Sequence, residues 1–171
     1  MIIRVPDIQA AGLTIEAFAG SPFADPAWRL DDVALRLERD GADVLVQGEI
    51  GALVPQVCGR CLESFPARVR AAVDLRLVPR PSTAENVELG ADDLDVDFYA
   101  GEELDLGALI ETETTLALPM KPLCRADCRG LCPVCGGNRN VAHCDCAARP
   151  PDPRLAALRN FAHRSSPESS A

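Results

Sequence analysis

Apolar Val33, Leu35 and Leu37 alternate with Ala34, Arg36 and Glu38, and after Asp40-Gly41 the apolar positions resume at Val44 and Val46 before Gly48 and Ile50. A period of two on both sides of a turn dipeptide predicts a hairpin over residues 33–50. A longer alternation follows, with Val69, Ala71, Val73, Leu75 and Leu77 on one face and Arg68, Arg70, Asp74 and Arg76 on the other. It predicts a half-exposed antiparallel strand. Residues 79–90 are polar and rich in turn formers, after which Asp92, Asp93, Asp95 and Asp97 interleave with Leu94, Val96 and Phe98 as a possible strand. From Asp105 the spacing changes: Leu106, Leu109, Ile110, Thr114 and Leu116 fit a helix of about three turns, with Asp105 as N-cap and Pro119 as the stop.

Periodicity ends there. Residues 119–146 hold six cysteines and three glycines with no apolar stripe, so the segment has little hydrophobic core of its own. Arg149-Pro150-Pro151-Asp152-Pro153 reads as a stiff connector ending in an Asp cap with proline at the first helical position. Leu155, Leu158 and Phe161 then form one apolar edge of a short helix, with Arg154, Arg159 and Arg164 nearby. The expected fold class is α+β. A β-rich antiparallel sheet body with one helix spans residues 1–118, a cysteine-rich metal module with a short helix spans 119–164, and 165–171 form a disordered tail.

With 171 residues, 47% of them hydrophobic and 25% charged, the chain has the balance of a soluble globular protein large enough to bury a core unaided. Eight cysteines therefore call for another explanation. The N-terminus shows no basic region followed by an apolar run, and no stretch approaches the roughly 20 apolar residues of a membrane span. The expected compartment is a reducing cytoplasm, where paired cysteines serve as metal ligands or catalytic thiols more often than as disulfides.

Cys132-Pro133-Val134-Cys135-Gly136-Gly137 has the form of a zinc knuckle, since a two-residue gap lets both thiolates face one ion and the glycines permit the turn. Cys144-Asp145-Cys146 follows after eight intervening residues and completes four ligands, with His143 as an alternative ligand. Cys58-Gly59-Arg60-Cys61 is a second knuckle, which zinc would join to Cys124 and Cys128, although other pairings stay open. The expectation is two structural Zn2+ ions, because closed four-cysteine sites leave no position for water or substrate. Iron–sulfur ligation uses the same thiolates. A redox pair at Cys58 and Cys61 would need a following helix, whereas Pro66 and strand alternation follow. The four aspartates lack the glycine turn and terminal glutamate of an EF-hand loop, so they read as a solvated strand face.

The net charge of −9 argues against indiscriminate nucleic-acid binding, but it is unevenly placed. Residues 1–118 carry 9 basic and 22 acidic side chains, whereas residues 119–164 carry 8 basic and 3 acidic ones. Sixteen of the seventeen cations are arginine, suited to bidentate contact with phosphate, although high-GC codon usage also favours arginine. Arg125, Arg129, Arg139, Arg149, Arg154 and Arg159 lie in the module and its helix, and of these Arg125, Arg129, Arg139, Arg154 and Arg159 are the candidate partner-binding or RNA-binding residues. Seven aromatic residues in all leave little for a base-stacking platform. There is no recognisable nucleophile motif, no phosphate-binding glycine loop and a complement of only two histidines, so an enzyme and a small-molecule substrate are not expected.

Cys58-Gly59-Arg60-Cys61-Leu62-Glu63, Leu118-Pro119, Pro122-Leu123-Cys124, Gly130-Leu131-Cys132-Pro133-Val134-Cys135-Gly136, Asn138-Arg139-Asn140, Cys144-Asp145-Cys146 and Asp152-Pro153-Arg154-Leu155-Ala156-Ala157-Leu158 occur in that order. In this series, which spans residues 58–158, the chain resembles the YceD family, the large ribosomal RNA subunit accumulation proteins. Arg139 departs from the pattern, in which an apolar residue usually separates the two asparagines. The resemblance implies a non-enzymatic factor in the synthesis, processing or stability of 23S ribosomal RNA, with precursor 23S rRNA or a large-subunit ribosomal protein as partner. It supplies no catalytic residue. The alternative is an acidic adaptor or chaperone that binds a basic ribosomal protein.

Overall fold

The computed structural model of the protein describes residues 1–80, 96–147, 152 and 154. They divide into two units, one formed by Met1–Gly59 with Glu63–Cys124, the other by Arg60–Leu62 with the described residues from Arg125 onward.

The first unit is built on a five-stranded sheet. Its strands are β2 (Leu13–Ile15), β3 (Arg29–Asp40), β4 (Asp43–Val57), β5 (Ser64–Pro79) and β6 (Val96–Tyr99), hydrogen-bonded in that order. β1 (Ile2–Arg4) pairs with β7 (Glu103–Asp105) as a separate antiparallel ribbon, and α1 (Leu106–Leu116) follows β7 directly. The alternation that predicts the hairpin continues outward on both sides, so β3 and β4 run to 12 and 15 residues around a turn at Gly41-Ala42. β5 pairs antiparallel with β4 over fourteen registered positions, from Val44↔Leu77 to Val57↔Ser64. β6 lies parallel to β5, so the sheet is mixed rather than wholly antiparallel. Side-chain periodicity assigns faces and carries no information on strand direction. Of the aspartate-rich stretch, Val96, Asp97 and Phe98 fall in β6, whereas Asp92, Asp93, Leu94 and Asp95, like the turn-rich segment before them, lie outside the described residues.

One face of the sheet is the core. Val33 faces Ile50, Leu37 faces Val46 and Val44 faces Leu77, all of them buried. α1 packs against β4 and β5 and adds Leu106 and Ile110, which are 1% and 0% exposed. Each such side chain contributes about 1.5–3 kcal/mol by leaving water. The helix starts where the Asp105 carboxylate accepts hydrogen bonds from the Gly107 and Ala108 amides at 2.9 and 3.3 Å. Leu116, which the helical spacing includes, is 74% exposed, because Leu106, Ile110 and Thr114 define the buried stripe and Leu116 lies off it. Gly48, in the middle of β4, has φ +146°, and a Cβ there would fall 1.9 Å from the Ala34 carbonyl oxygen. Only glycine lets β3 pass that close.

The outer face of the sheet is charged and mutually compensated. Arg36 pairs with Glu38, Arg68 with Asp31, Arg70 with Asp32 and Glu49, and Arg76 with Asp43. Exposed pairs of this kind contribute little stability, about 0–1 kcal/mol each, but they neutralise these four arginines locally.

The second unit has almost no regular structure. Turns and single bridges hold it: Leu131 and Asn138 form an isolated antiparallel bridge, the Leu131 amide donates to Arg60 O at 3.0 Å, and the Arg139 amide donates to Gly130 O at 2.9 Å. Gly130 takes φ +68°, with Arg60 O 3.0 Å from where a Cβ would stand. At Asp152 the carboxylate accepts the Arg154 amide at 2.9 Å, the bond a capping aspartate makes. Arg149, Leu155, Leu158, Arg159, Phe161, Arg164 and residues 165–171 lie outside the described residues.

Candidate metal centres

The β4–β5 hairpin ends in the first knuckle. β4 stops at Val57, and the Cys58 amide donates to Glu63 O at 3.0 Å across the turn. The Gly59 amide reaches Pro122 O at 2.8 Å, which holds the segment leading to Cys124 beside the knuckle. No helix follows Cys61, because β5 begins at Ser64. This is not the strand-to-helix setting of a redox pair. Arg60 turns its guanidinium onto backbone carbonyls, with Nη1 3.0 Å from Cys128 O and 3.4 Å from Ala126 O. Asn140 completes this shell: its Nδ2 donates to the Cys128 sulfur at 3.3 Å and to Asn138 Oδ1 at 2.9 Å. Its Oδ1 accepts from the Arg129 amide at 2.8 Å and from Arg125 at 2.7 Å. An amide donor fixes a sulfur's orientation, so Asn140 positions the Cys128 thiol, while Arg60 holds the backbone that carries it. The cysteine spacing does not reveal either, and the only signal was the motif in which each stands.

The second knuckle is a tight turn. The Cys132 amide donates to Gly137 O at 2.8 Å and the Gly136 amide to Cys132 O at 2.9 Å. The Val134 amide donates to the Cys132 sulfur at 3.4 Å. Hydrogen bonds from the backbone of Cys135 and Val134, and then from the Cys144 thiol, hold the Cys132 thiol down to about 6. The hydrogen bond with the Cys135 thiol pushes Cys146 up to about 12, and the hydrogen bond with Cys132 raises Cys144. Opposed shifts on neighbouring sulfurs follow from their crowding, since a thiolate disfavours ionisation of the thiol beside it.

Eight cysteines, none in a disulfide, fall into two groups. The sulfurs of Cys58, Cys61, Cys124 and Cys128 lie within 4.8 Å of one another, and so do those of Cys132, Cys135, Cys144 and Cys146. A tetrahedral ion with metal–sulfur bonds of about 2.3 Å needs sulfurs about 3.8 Å apart, so each donor set fits a single ion. The two differ in exposure: Cys58, Cys61 and Cys128 are buried and Cys124 half-buried, whereas in the second group Cys135 and Cys146 are exposed. His143 is outside both groups; it is exposed, with Nδ1 3.3 Å from Asp145 Oδ1.

The candidate arginines are not gathered at one point. Arg125 is taken up by Asn140 and by Asp127, at 3.5 Å. Arg129 and Arg139 are exposed and line one notch with His143, Arg154 is exposed near Asp152, and Arg159 lies outside the described residues.

A sheet-built unit joined in sequence to a turn-rich unit, with two four-thiol groups able to hold metal ions, defines a class of protein whose cysteines are arranged for metal binding. Residues 46–162 match the family described as "Large ribosomal RNA subunit accumulation protein YceD", and the chain belongs to that family. An uncharacterized protein of Mycobacterium tuberculosis is 38% identical over 106 residues, covering 61% of this chain and 49% of the relative. An uncharacterized Mycobacterium leprae protein is 31% identical over 133 residues, 77% of this chain and 56% of its own. A maize protein named "Large ribosomal RNA subunit accumulation protein YCED homolog 1, chloroplastic" is 26% identical over 172 residues, 85% of this chain and 57% of its own. The chain spans about half the length of the curated relatives it matches. No solved structure matches. Among the described residues, no helix is long and apolar enough to cross a membrane.

Proposed function

We propose that this protein is a non-enzymatic cytoplasmic factor in large ribosomal subunit biogenesis that supports the accumulation of 23S rRNA. Two structural zinc ions hold the turn-rich unit in shape, and its basic residues contact precursor rRNA. The observation that carries this reading is the family match over residues 46–162, which takes in all eight cysteines. Metal binding as single ions rather than as multi-iron clusters is favoured by the crowding of the sulfurs, which leaves room for one atom between them. When bound, zinc would supply cross-linking and charge neutralisation, and the four-thiol sets leave no ligand position for a reacting molecule. Sedimentation tests the proposal. Tagged protein should travel with precursor large subunits, and Arg154→Glu with Arg159→Glu should weaken that association while metal content stays intact. Protein found only in the free fraction at low salt contradicts it.

One observation favours an acidic adaptor as a second reading. A groove of about 360 Å3 in the first unit has Leu75, Leu77 and Leu109 among its lining, with Asp97, Glu103, Asp105 and Glu113 around them. Glu113 is raised above the ordinary carboxylate range by burial and then by Asp97, so negative charge is crowded there. A basic peptide with an apolar anchor suits such a groove, and crosslinks in cells to a ribosomal protein rather than to RNA would select this reading.

A further inference from the structure

Among the described residues, Arg36, Arg68, Arg70 and Arg76 of the sheet are matched by carboxylates, and Arg60 and Arg125 are engaged inside their own unit. Arg129 and Arg139 share one site. Neither guanidinium is ion-paired with a described residue, and both line a notch of about 340 Å3 together with Ala142, His143 and Cys144. Ten positions apart in sequence, they are brought together by the backbone. The isolated Leu131↔Asn138 bridge and the bond from the Arg139 amide to Gly130 O join the segments that carry the two arginines. The Arg129 amide is fixed by Asn140, and the Val141 and Ala142 amides both donate to Asn138 O at 3.1 Å, closing the turn that brings His143 to the same place. Of the carboxylates near them in sequence, Asp127 is 3.5 Å from Arg125 Nε and Asp145 is turned to His143.

We propose that this notch is a phosphate clamp for the RNA backbone, with Arg129 and Arg139 as its two forks. The proposal rests on the functional reading above and locates its RNA contact. Two planar guanidinium groups lining one notch offer several donors to a single anion, and a guanidinium fork suits bidentate contact with phosphate oxygens. No Phe, Tyr or Trp lines the notch, and its one ring, His143, is turned to Asp145, which suits contact with the backbone rather than stacking on a base. Cys144 at its wall belongs to the second cysteine group, so a bound metal would stiffen the floor. The competing role for the arginines is to balance the negative charge of the thiolates themselves, and the two roles separate experimentally.

The test uses the full-length protein as purified with its metal, and a fluorescent single-stranded oligouridylate as probe. Arg129→Gln with Arg139→Gln should weaken binding by about tenfold at low salt, as expected when a charge-assisted hydrogen bond to phosphate is removed. The slope of log affinity against log salt should become shallower by about 0.7 for each phosphate that is no longer neutralised. Metal content should not change. Arg29→Gln with Arg39→Gln, two arginines of β3 outside the notch, should leave affinity and slope nearly unchanged. Equal losses in both pairs, wild-type binding by the notch variant, or displacement of the probe by polyglutamate as effective as by unlabelled RNA overturns the clamp. Photocrosslinking of the wild-type protein gives a readout independent of variant folding: adducts should fall within residues 129–144, and adducts confined to the sheet overturn the proposal. Wild-type protein that binds no RNA brings down both the clamp and the RNA contact of the functional reading. Wild-type binding with an unaffected notch variant removes the clamp alone.

Discussion

At single positions, the fold depends on a few residues that no neighbour could replace. Gly48 pairs with Leu35 on one side and Val73 on the other, where any Cβ meets the Ala34 carbonyl. Gly48→Ala should cost about 2–4 kcal/mol, because the strand must either shift its backbone or break a ladder bond. Chemical denaturation measures this, and a loss below about 0.5 kcal/mol, the effect of a neutral surface change, would contradict it. Thr114 is the opposite case. It is 1% exposed and its hydroxyl has no hydrogen-bond partner among the described residues. Thr114→Val keeps the shape and removes the buried oxygen, so it should stabilise the protein by about 1 kcal/mol, read as a higher melting temperature. These two positions were not legible in the sequence: Gly48 sits on a strand period like any small residue, and Thr114 fits the helical stripe with no sign that its hydroxyl lacks a partner.

For whole elements, legibility follows length. β3, β4 and β5 are long enough for a period of two to stand out, and α1 carries both its stripe and its Asp105 cap. β1, β2 and β7 have three residues each, too few for any period, and they form because neighbours offer unpaired backbone groups. The packing of Phe23 on Trp28, with ring centroids 5.4 Å apart, likewise belongs to a segment without a pattern. The cysteine pairs are visible as spacings, but their exposure is not, and exposure sets a prediction. If each group holds one zinc ion, chelator should remove the metals in two phases. The ion at Cys132, Cys135, Cys144 and Cys146, where two ligands are exposed, should leave first, and the ion among the buried sulfurs of Cys58, Cys61 and Cys128 later. Cys135→Ser should abolish the fast phase and keep the slow one. A single phase, or a fast phase that survives Cys135→Ser, contradicts this assignment. The notch of Arg129 and Arg139 was hidden for a different reason: it depends on one bridge between residues that no periodicity connects.

For the molecule as a whole, charge and architecture divide the labour. The sheet unit carries most of the acidic side chains and matches many of its arginines with them, while the turn-rich unit holds little regular structure among its described residues and places Arg129 and Arg139 in one notch. Under the proposed function the turn-rich unit presents a surface that holds a partner, and the chain's place in the YceD family supports that reading. The central claim is that this surface supports accumulation of large-subunit rRNA. The most direct measurement is the ratio of 23S to 16S rRNA in cells depleted of the protein and then supplied with wild-type chain or with Cys132→Ser and Cys135→Ser. The account predicts that the ratio falls on depletion, that wild-type protein restores it, and that the cysteine variant does not. An unchanged ratio on depletion, with the protein confirmed absent, would contradict it.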